Sequence, residues 1–515
     1  MGNISSSNKT IAKNTVFLYA RMMVTMVIAF YTSRVLLQNL GVDDFGTYGL
    51  VGGIVSIFAS LKTMFTVATQ RFMNIEIGRG DKAELNKIFN VSVLVNIIIA
   101  IVFIVVVEIG GIWLLENKLQ IAPERMSAAR WVFQFSVIAS TITVFNIPFT
   151  ANIIAREKMD FFAIVSIFDA VAKLVIVLLL PVIGGDRLII YGLLMLLATG
   201  LNLLMEALYC RIKFEESRIR KYPFETIREK FKEMFAFSGW AFFGNVIFAL
   251  VNEGMNVLLN IFSGVVANAA RTIAYQVSSA LSKVVSNVYV AVKPQAIQSY
   301  ARQDMERYYK LMFTGAKVVG YMYILMAIPL YFTLEQVLKW WLGEVPEYAV
   351  SFLSAVFIYQ LVRVLHESVG TFFVTIGKLK KYQITEFIAQ GSALPIAYIG
   401  LKFFSMPLFG VFLVMAFSEL LNLTAIMILA KKEGEFDIGR YFRTVFLPYT
   451  TMTLLCFVGV YLIKLAFMPL EMNITIKTLL LIIVAVLFQM TCLYFAGMEK
   501  EEKALFVNMI KLKKI

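Results

Sequence analysis

The chain has 515 residues, of which 59% are hydrophobic and only 16% charged, with a formal net charge of +14. Soluble domains are roughly 45–50% apolar, so a water-soluble globular protein of this length is excluded. The positive charge fits the cytoplasmic loops of a membrane protein, and no nucleic-acid partner is expected.

In chain order, residues 1–13 are polar and lack the apolar core and small-residue cleavage site of a signal peptide. Apolar runs then recur at 14–37, 47–69, 89–110, 131–153, 161–182, 188–210, 235–258, 271–292, 312–334, 348–374, 384–404, 407–430, 444–468 and 475–497. Each is long enough to cross a bilayer as a helix. Lipid offers no partner for backbone N–H and C=O groups, so each run must be helical. Nothing alternates with the short period of a membrane barrel. The predicted fold is all-α and polytopic, with about fourteen spanning helices. The connections are short, the longest being the charged stretch 211–233. The largest loop on the other face, 111–130, has acids only at Glu116 and Glu124. Cys210, Cys456 and Cys492 have neither metal-site nor disulfide-framework spacing.

Alternate loops are rich and poor in Lys and Arg, with about 32 in the rich set and about 9 in the other. The rich set includes both ends of the chain, so both termini are expected in the cytoplasm.

The sequence looks duplicated at an offset of about 223 residues. Gly78-Arg79-Gly80-Asp81 followed by Lys87-Ile88-Phe89 resembles Ala301-Arg302-Gln303-Asp304 followed by Lys310-Leu311-Met312. Pro123-Glu124 and Pro346-Glu347 share the offset, and Ile154-Ala155-Arg156 resembles Ile376-Gly377-Lys378 one residue out of step. Because the offset covers six helices, the halves share one topology, related by an axis along the membrane normal. The expected organisation is a six-helix lobe over 1–210, a cytoplasmic linker over 211–233 and a second six-helix lobe over 234–432. Two appended helices over 433–498 and a basic tail over 499–515 complete it.

Ionisable and amide groups inside spans mark cavities or partners. Asn14, Arg21, Thr25 and Thr32 share a face of the first span, where Arg21 either lines a cavity or snorkels to the interface. Arg34, near the other end, has the same alternative. Ser238, Asn245, Asn252, Asn256 and Asn260, with Glu253 beside them, mark the seventh span. They serve either as interhelical hydrogen-bonding groups or as a cavity wall. The eighth is the most polar, with Gln276, Ser279, Lys283 and Asn287 at helical spacing, Ser282 and Ser286 beside them and Arg271 at its start. In the tenth span Arg363 and Glu367 are four residues apart, with His366, the only histidine, between them. Asp169 and Lys173 repeat that spacing in the fifth, and each pair is either structural or a coupling element. The expected substrate-binding set is Arg21, Arg271, Lys283, Asn245, Asn252, Glu253, Gln276 and Arg363. The expected coupling set is Asp169, Lys173, His366 and Glu367. No metal site, nucleophile motif or phosphate-binding glycine loop is present, so no enzyme is expected. The basic groups point to an anionic substrate such as a phosphate.

Ala267-Asn268-Ala269-Ala270-Arg271, Ala274-Tyr275-Gln276-Val277, Val292-Lys293-Pro294-Gln295 and Ser299-Tyr300 together resemble a polysaccharide flippase of the Wzx type. Leu342 to Tyr348, Gly377 to Tyr382 and Leu40 to Gly46 continue the likeness over nearly the whole chain. That family lies in the multidrug, oligosaccharidyl-lipid and polysaccharide (MOP) exporter superfamily. The resemblance implies two lobes around a V-shaped cavity in a bacterial cytoplasmic membrane. It also implies an undecaprenyl-diphosphate-linked oligosaccharide as substrate, moved to the outer leaflet for cell-surface polysaccharide such as lipopolysaccharide O-antigen. The implied partners are membrane lipids and glycan assembly proteins. No cofactor is implied; proton or sodium coupling stays open. Related lipid-precursor flippases carry cavity arginines where Arg21 and Arg271 stand, and their last two helices hold the lipid tail. The alternatives are a multidrug exporter of the same fold and a membrane glycan polymerase or ligase.

Overall fold

The computed structural model describes residues 2–56, 65–66, 69–70, 72–74, 76–77, 79–220, 222–498 and 503. The side chains of 2–20, 224, 226–227, 230, 233–247, 286–291, 293–295, 298 and 301 lie outside it. Residues 57–64 and 67–68 of the predicted second span, Gly78, and the tail 499–515 apart from Lys503 also lie outside the described residues.

The described elements are all helical. They are α1 (Gly2–Ser56), α2 (Lys82–Asn117), a 3-10 turn (Pro123–Arg125), α3 (Met126–Phe145), α4 (Ile147–Ala155), α5 (Met159–Leu179) and α6 (Arg187–Lys213). A second 3-10 turn (Glu215–Ser217) leads to α7 (Phe224–Ala301), α8 (Met305–Leu342), α9 (Ala349–Ile376), α10 (Leu379–Gly391), α11 (Ala393–Phe403) and α12 (Gly410–Gly434). Then come α13 (Ile438–Tyr441), α14 (Leu447–Phe467) and α15 (Ile474–Cys492). Twelve described segments are long and apolar enough to cross a membrane. Two of them, in α1 and α7, are pairs of helices joined at a glycine with non-helical backbone, Gly41 and Gly264. Only glycine adopts such a positive φ without strain. The loop predicted over 111–130 is shorter than expected, because α2 stays helical to Asn117 and the chain turns again at Pro123.

The chain packs as two compact units, Met1–Thr272 and Ile273–Ile515. Within them the same backbone devices recur 223 residues apart. Gly41 has φ 77° and Gly264 φ 71°. Gly80 and Gln303 both take positive φ, and the next residues, Asp81 and Asp304, cap α2 and α8 with their carboxylates. An N-cap carboxylate satisfies amides that the helix cannot, and favours the positive end of its dipole.

α2 shows why the solvent must be lipid. Ile98, Ile101, Val105 and Ile109 are exposed, while Asn86, Asn90 and Asn96 are buried. A helix in water buries its apolar stripe; this one turns it outward and keeps its amides inside, as a helix in hydrocarbon must.

The connector between α6 and α7 is not a loose charged loop. Asn86 Nδ2 donates to the backbone oxygens of Glu216 (2.7 Å) and Arg218 (2.8 Å), and its Oδ1 accepts from Tyr222 (2.6 Å). Asn90 Oδ1 accepts from the Arg220 amide at 2.8 Å, and Asn152 donates to Ser217 Oγ at 2.9 Å. Arg156 pairs with the buried Glu216. Asn86→Ala takes the side-chain donor from the Glu216 oxygen and the acceptor from the Tyr222 phenol, while the Arg218 oxygen keeps its 3.1 Å bond from Asn90; each buried group left unsatisfied costs about 1–3 kcal/mol. The expected result is trypsin cleavage after Arg218 and Arg220 several-fold faster than in the parent, since cleavage follows local opening. Unchanged cleavage would show that Asn86 does not hold the connector.

In the second unit α14 and α15 dock on α8, and α14 also reaches α9 through Tyr449. Gly320 makes room for the Tyr449 ring, where a β-carbon would stand 2.6 Å from Cδ2. Tyr449 donates to the Leu361 oxygen at 3.0 Å, and Tyr321 to the Gly497 oxygen at 3.1 Å.

Candidate functional site

In the first unit, Arg21 lies on α1 against α5. Its Nη1 donates to Ser166 Oγ at 3.2 Å, and its guanidinium stands 4.7 Å from the Phe162 ring centroid. An aromatic face and a hydroxyl hold the group in place and leave donors over. Asp169 and Lys173 pair at 2.6 Å on α5 as their spacing predicts, and Asn202 of α6 donates to Asp169 at 2.7 Å.

Near the α7 turn a buried polar network forms. Asn260 accepts from the Gln120 amide (2.7 Å) and donates to the Gln120 oxygen (3.3 Å) and to Asn268 (3.0 Å). Asn268 donates to Asn256 Oδ1 at 2.7 Å, and Asn256 donates to Glu253 at 3.2 Å. Asn256 and Asn260 thus act as hydrogen-bonding pins. Arg271 is only 5% exposed. Its Nη2 donates to the Asn252 backbone oxygen at 2.7 Å, while Nη1 stands 3.8 Å from Glu253, beyond hydrogen-bond reach. Arg271, Asn252 and Glu253 are therefore brought together; Asn252 Oδ1 is buried with no hydrogen-bond partner among the described residues.

The second half of α1 packs on this network through a glycine face. A β-carbon at Gly46 would stand 2.0 Å from the Val265 oxygen, one at Gly49 2.5 Å from Thr272 Oγ1, and one at Gly53 2.4 Å from Glu253 Oε2. Residues spaced three and four apart share a helix face, so this one is smooth because its partner's backbone and polar groups leave no room.

The same half of α1 is clamped from its other side. Arg125 binds Asp44 through Nε (2.8 Å) and Nη2 (2.7 Å), and Asp186 through Nη1 (2.6 Å) and Nη2 (3.0 Å). Asp186 also caps α6. The Arg125 hydrogen bonds, against the opposing effect of burial, hold the Asp186 carboxyl below its ordinary range. A depressed carboxyl contributes stability that is complete above the unfolded value of about 3.9 and is lost as pH falls through the folded value. Arg125→Ala is expected to lower the thermal midpoint by several degrees at pH 7. Its deficit against the parent should shrink below about pH 4, as Asp186 protonates. A deficit independent of pH would show that Arg125 acts by packing alone.

The second unit holds a charge cluster whose acidic members the sequence reading missed. His366 Nδ1 is 2.9 Å from Glu419 Oε1, and Nε2 is 3.0 Å from Glu386 Oε1 and 2.8 Å from Tyr382 Oη. Arg363 Nη1 donates to both Glu419 oxygens, at 3.1 and 3.2 Å. The expected pairing of Arg363 with Glu367 is corrected: its carboxylate is Glu419 of α12, and Glu367 is exposed. A side chain on a neighbouring helix reaches across the packed interface, whereas Glu367 turns outward from it. Glu386 and Glu419 each interrupt an apolar span, which was the available signal. Of the remaining expected residues, Gln276 is half-buried and Lys283 exposed, and the side chains of Asn245 and Asn287 lie outside the described residues. Among the described residues no group of three or more His, Cys, Asp or Glu is placed to hold a metal ion.

A family described as polysaccharide biosynthesis protein matches residues 11–299, more than half of the chain. The chain belongs to that family. Its fold is that of the MOP superfamily. An inward-facing multidrug resistance MATE family transporter is similar at TM-score 0.67 and 14% identity, over 81% of this chain and 97% of its own. The lipid II flippase MurJ, in an inward closed conformation, is similar at TM-score 0.67 and 13% identity, over 94% of this chain and 99% of its own. A MOP superfamily transporter from Pyrococcus furiosus is similar at TM-score 0.60 and 14% identity, over 82% of this chain and 95% of its own. No curated protein matches the chain.

Proposed function

We propose that this family member is a flippase that carries an undecaprenyl-diphosphate-linked oligosaccharide from the inner to the outer leaflet of a bacterial cytoplasmic membrane. It does so by alternating access, for cell-surface polysaccharide synthesis. The observation that carries the reading is membership of a polysaccharide biosynthesis family by a chain built of membrane-spanning helices. The likeness to a lipid II flippase supports it, since that takes in 94% of the chain against 81–82% for the two other transporters. The backbone devices repeated 223 residues apart support a duplicated six-helix half, the architecture in which one half rocks against the other. A diphosphate cannot cross hydrocarbon uncompensated, and a guanidinium meets it with a planar fork of donors. Arg21 and Arg271 are the residues proposed to do so, with Asn252 and Glu253 beside Arg271 and with Gln276, Lys283 and Arg363 as further polar contacts. The cationic set separates this reading from export of cationic drugs.

The deciding assay is flipping of lipid-linked oligosaccharides in proteoliposomes, with and without proton and sodium gradients. Transport of the glycolipid is expected. Transport of cationic drugs with no movement of any glycolipid would overturn the reading. The proposed orientation has its own check. In a cysteine-free background, Asp43→Cys should react with an impermeant thiol reagent in intact cells, and Arg218→Cys should not; the reverse pattern would invert it.

A further inference from the structure

The His366 cluster is built from three helices. Arg363 and His366 come from α9, Tyr382, Glu386 and Gln390 from α10, and Glu419 and Asn422 from α12. His366 is 3% exposed, Glu386 8% and Glu419 1%. Gly370, one turn on from His366, admits the Tyr382 hydroxyl, where a β-carbon would stand 2.8 Å away. Gln390 donates to Glu419 at 3.4 Å. Asn422 is fully buried with its Nδ2 3.4 Å from His366 Nδ1, and its Oδ1 has no hydrogen-bond partner among the described residues. Elsewhere on the packed faces, Tyr441 donates to the Leu365 oxygen and Tyr323 to the Phe357 oxygen. α8 carries the buried Lys317, and Glu367 on α9 itself is exposed.

An ionised carboxylate only accepts hydrogen bonds, and a neutral imidazole has one N–H. Here each ring nitrogen meets a carboxylate oxygen. Both contacts become hydrogen bonds only if the group holds one proton more than a neutral imidazole and two carboxylates. Charge leads to the same count. Among the groups in contact, Arg363 offsets one carboxylate, and the added proton offsets the other. Its loss leaves one uncompensated negative charge in a buried site, which is costly.

We propose that His366, Glu386 and Glu419 form a proton-binding site through which a proton gradient drives transport. The proton belongs to the three groups together. Release leaves a buried charge that favours a rearranged packing of α9, α10 and α12, and a ligand shifts a conformational equilibrium only by such a difference between states. The proton's role in transport rests on the flippase reading; its binding does not.

Because His366 is the only histidine, protein labelled with nitrogen-15 histidine gives one imidazole. The expected spectrum at pH 7 has both ring nitrogens protonated, and in Glu386→Gln and Glu419→Gln one nitrogen loses its proton. A neutral imidazole in the parent with both Glu386 and Glu419 ionised, read from the carboxyl carbon-13 shifts, would overturn the site. In proteoliposomes, Glu386→Gln is expected to lose stimulation by an imposed proton gradient while keeping exchange without a gradient. Glu386→Asp should retain part of the stimulation, which also guards against misfolding of the Gln variant. Full stimulation in Glu386→Gln would reduce the cluster to a structural ion pair and overturn the coupling. A parent that moves no glycolipid, but shows the doubly protonated imidazole, would sink the flippase reading and leave the proton site standing.

Discussion

Arg271→Ala is expected to abolish glycolipid flipping while leaving expression and membrane insertion unchanged. The guanidinium is buried, and Glu253 stands 3.8 Å away rather than in a hydrogen-bonded fork. Truncating one partner of a desolvated charge pair costs about 2–5 kcal/mol, roughly 30-fold or more in rate if the pair forms in the transport step. Arg271→Lys should recover part of the activity, because a point charge restores compensation but not the planar fork. The single variant also takes from the half-buried Glu253 the guanidinium 3.8 Å away, which would impair the protein whatever Arg271 does for substrate. The double variant Arg271→Ala/Glu253→Gln separates the two causes. If Arg271 meets the diphosphate, the double variant stays inactive; if it only neutralises Glu253, flipping returns. Arg21→Ala should slow flipping as well. Parental rates in both arginine variants would move the diphosphate to Lys283 or Arg363.

What the sequence made legible follows from how far each interaction reaches along the chain. Spanning helices were legible because apolar length is a local property, and the Asp169–Lys173 pair because both members lie on one helix. The glycine turns at 41 and 264 fall in the connections predicted between two pairs of spans, but the repeat offset linking them was visible only in other loops. Partners on different helices were not legible. Glu419 lies 56 residues from Arg363, and the Asn86 side chain binds backbone 130 and 132 residues away. No spacing rule joins such positions; packing does. The four amides of α7 were recognised as too polar for lipid, yet whether they line a cavity or pin neighbours depended on what stood opposite. For Asn260 that was the backbone of Gln120. The glycine face of α1 was silent for the same reason: a missing β-carbon has meaning only beside the Val265 oxygen and Thr272 that would strike it.

That face leads to the second large effect. If access alternates, contacts at one end of the substrate path must form and part in each cycle, and the seam of Gly46, Gly49 and Gly53 against α7 is proposed as such a contact. A β-carbon at Gly49 would lie 3.7 Å from Thr272 Cβ, close to the roughly 3.8 Å typical across a disulfide. In a background lacking Cys210, Cys456 and Cys492, Gly49→Cys with Thr272→Cys should oxidise readily. Oxidation should arrest flipping, and reductant should restore it, with each single variant unaffected by oxidant. Gly46→Val tests the opposite displacement. Its side chain meets the backbone oxygen of Val265, which cannot swing aside, and overpacking of this kind costs about 1–3 kcal/mol. A cost borne only by the closed seam shifts the equilibrium toward the parted state by roughly 5- to 150-fold. Gly46→Val should therefore flip slowly while a cysteine in place of Gln120, whose side chain donates to the Ile261 oxygen beside the α7 turn, reacts faster with an impermeant thiol reagent. A cross-linked protein that flips at the parental rate would show that the seam stays closed throughout the cycle.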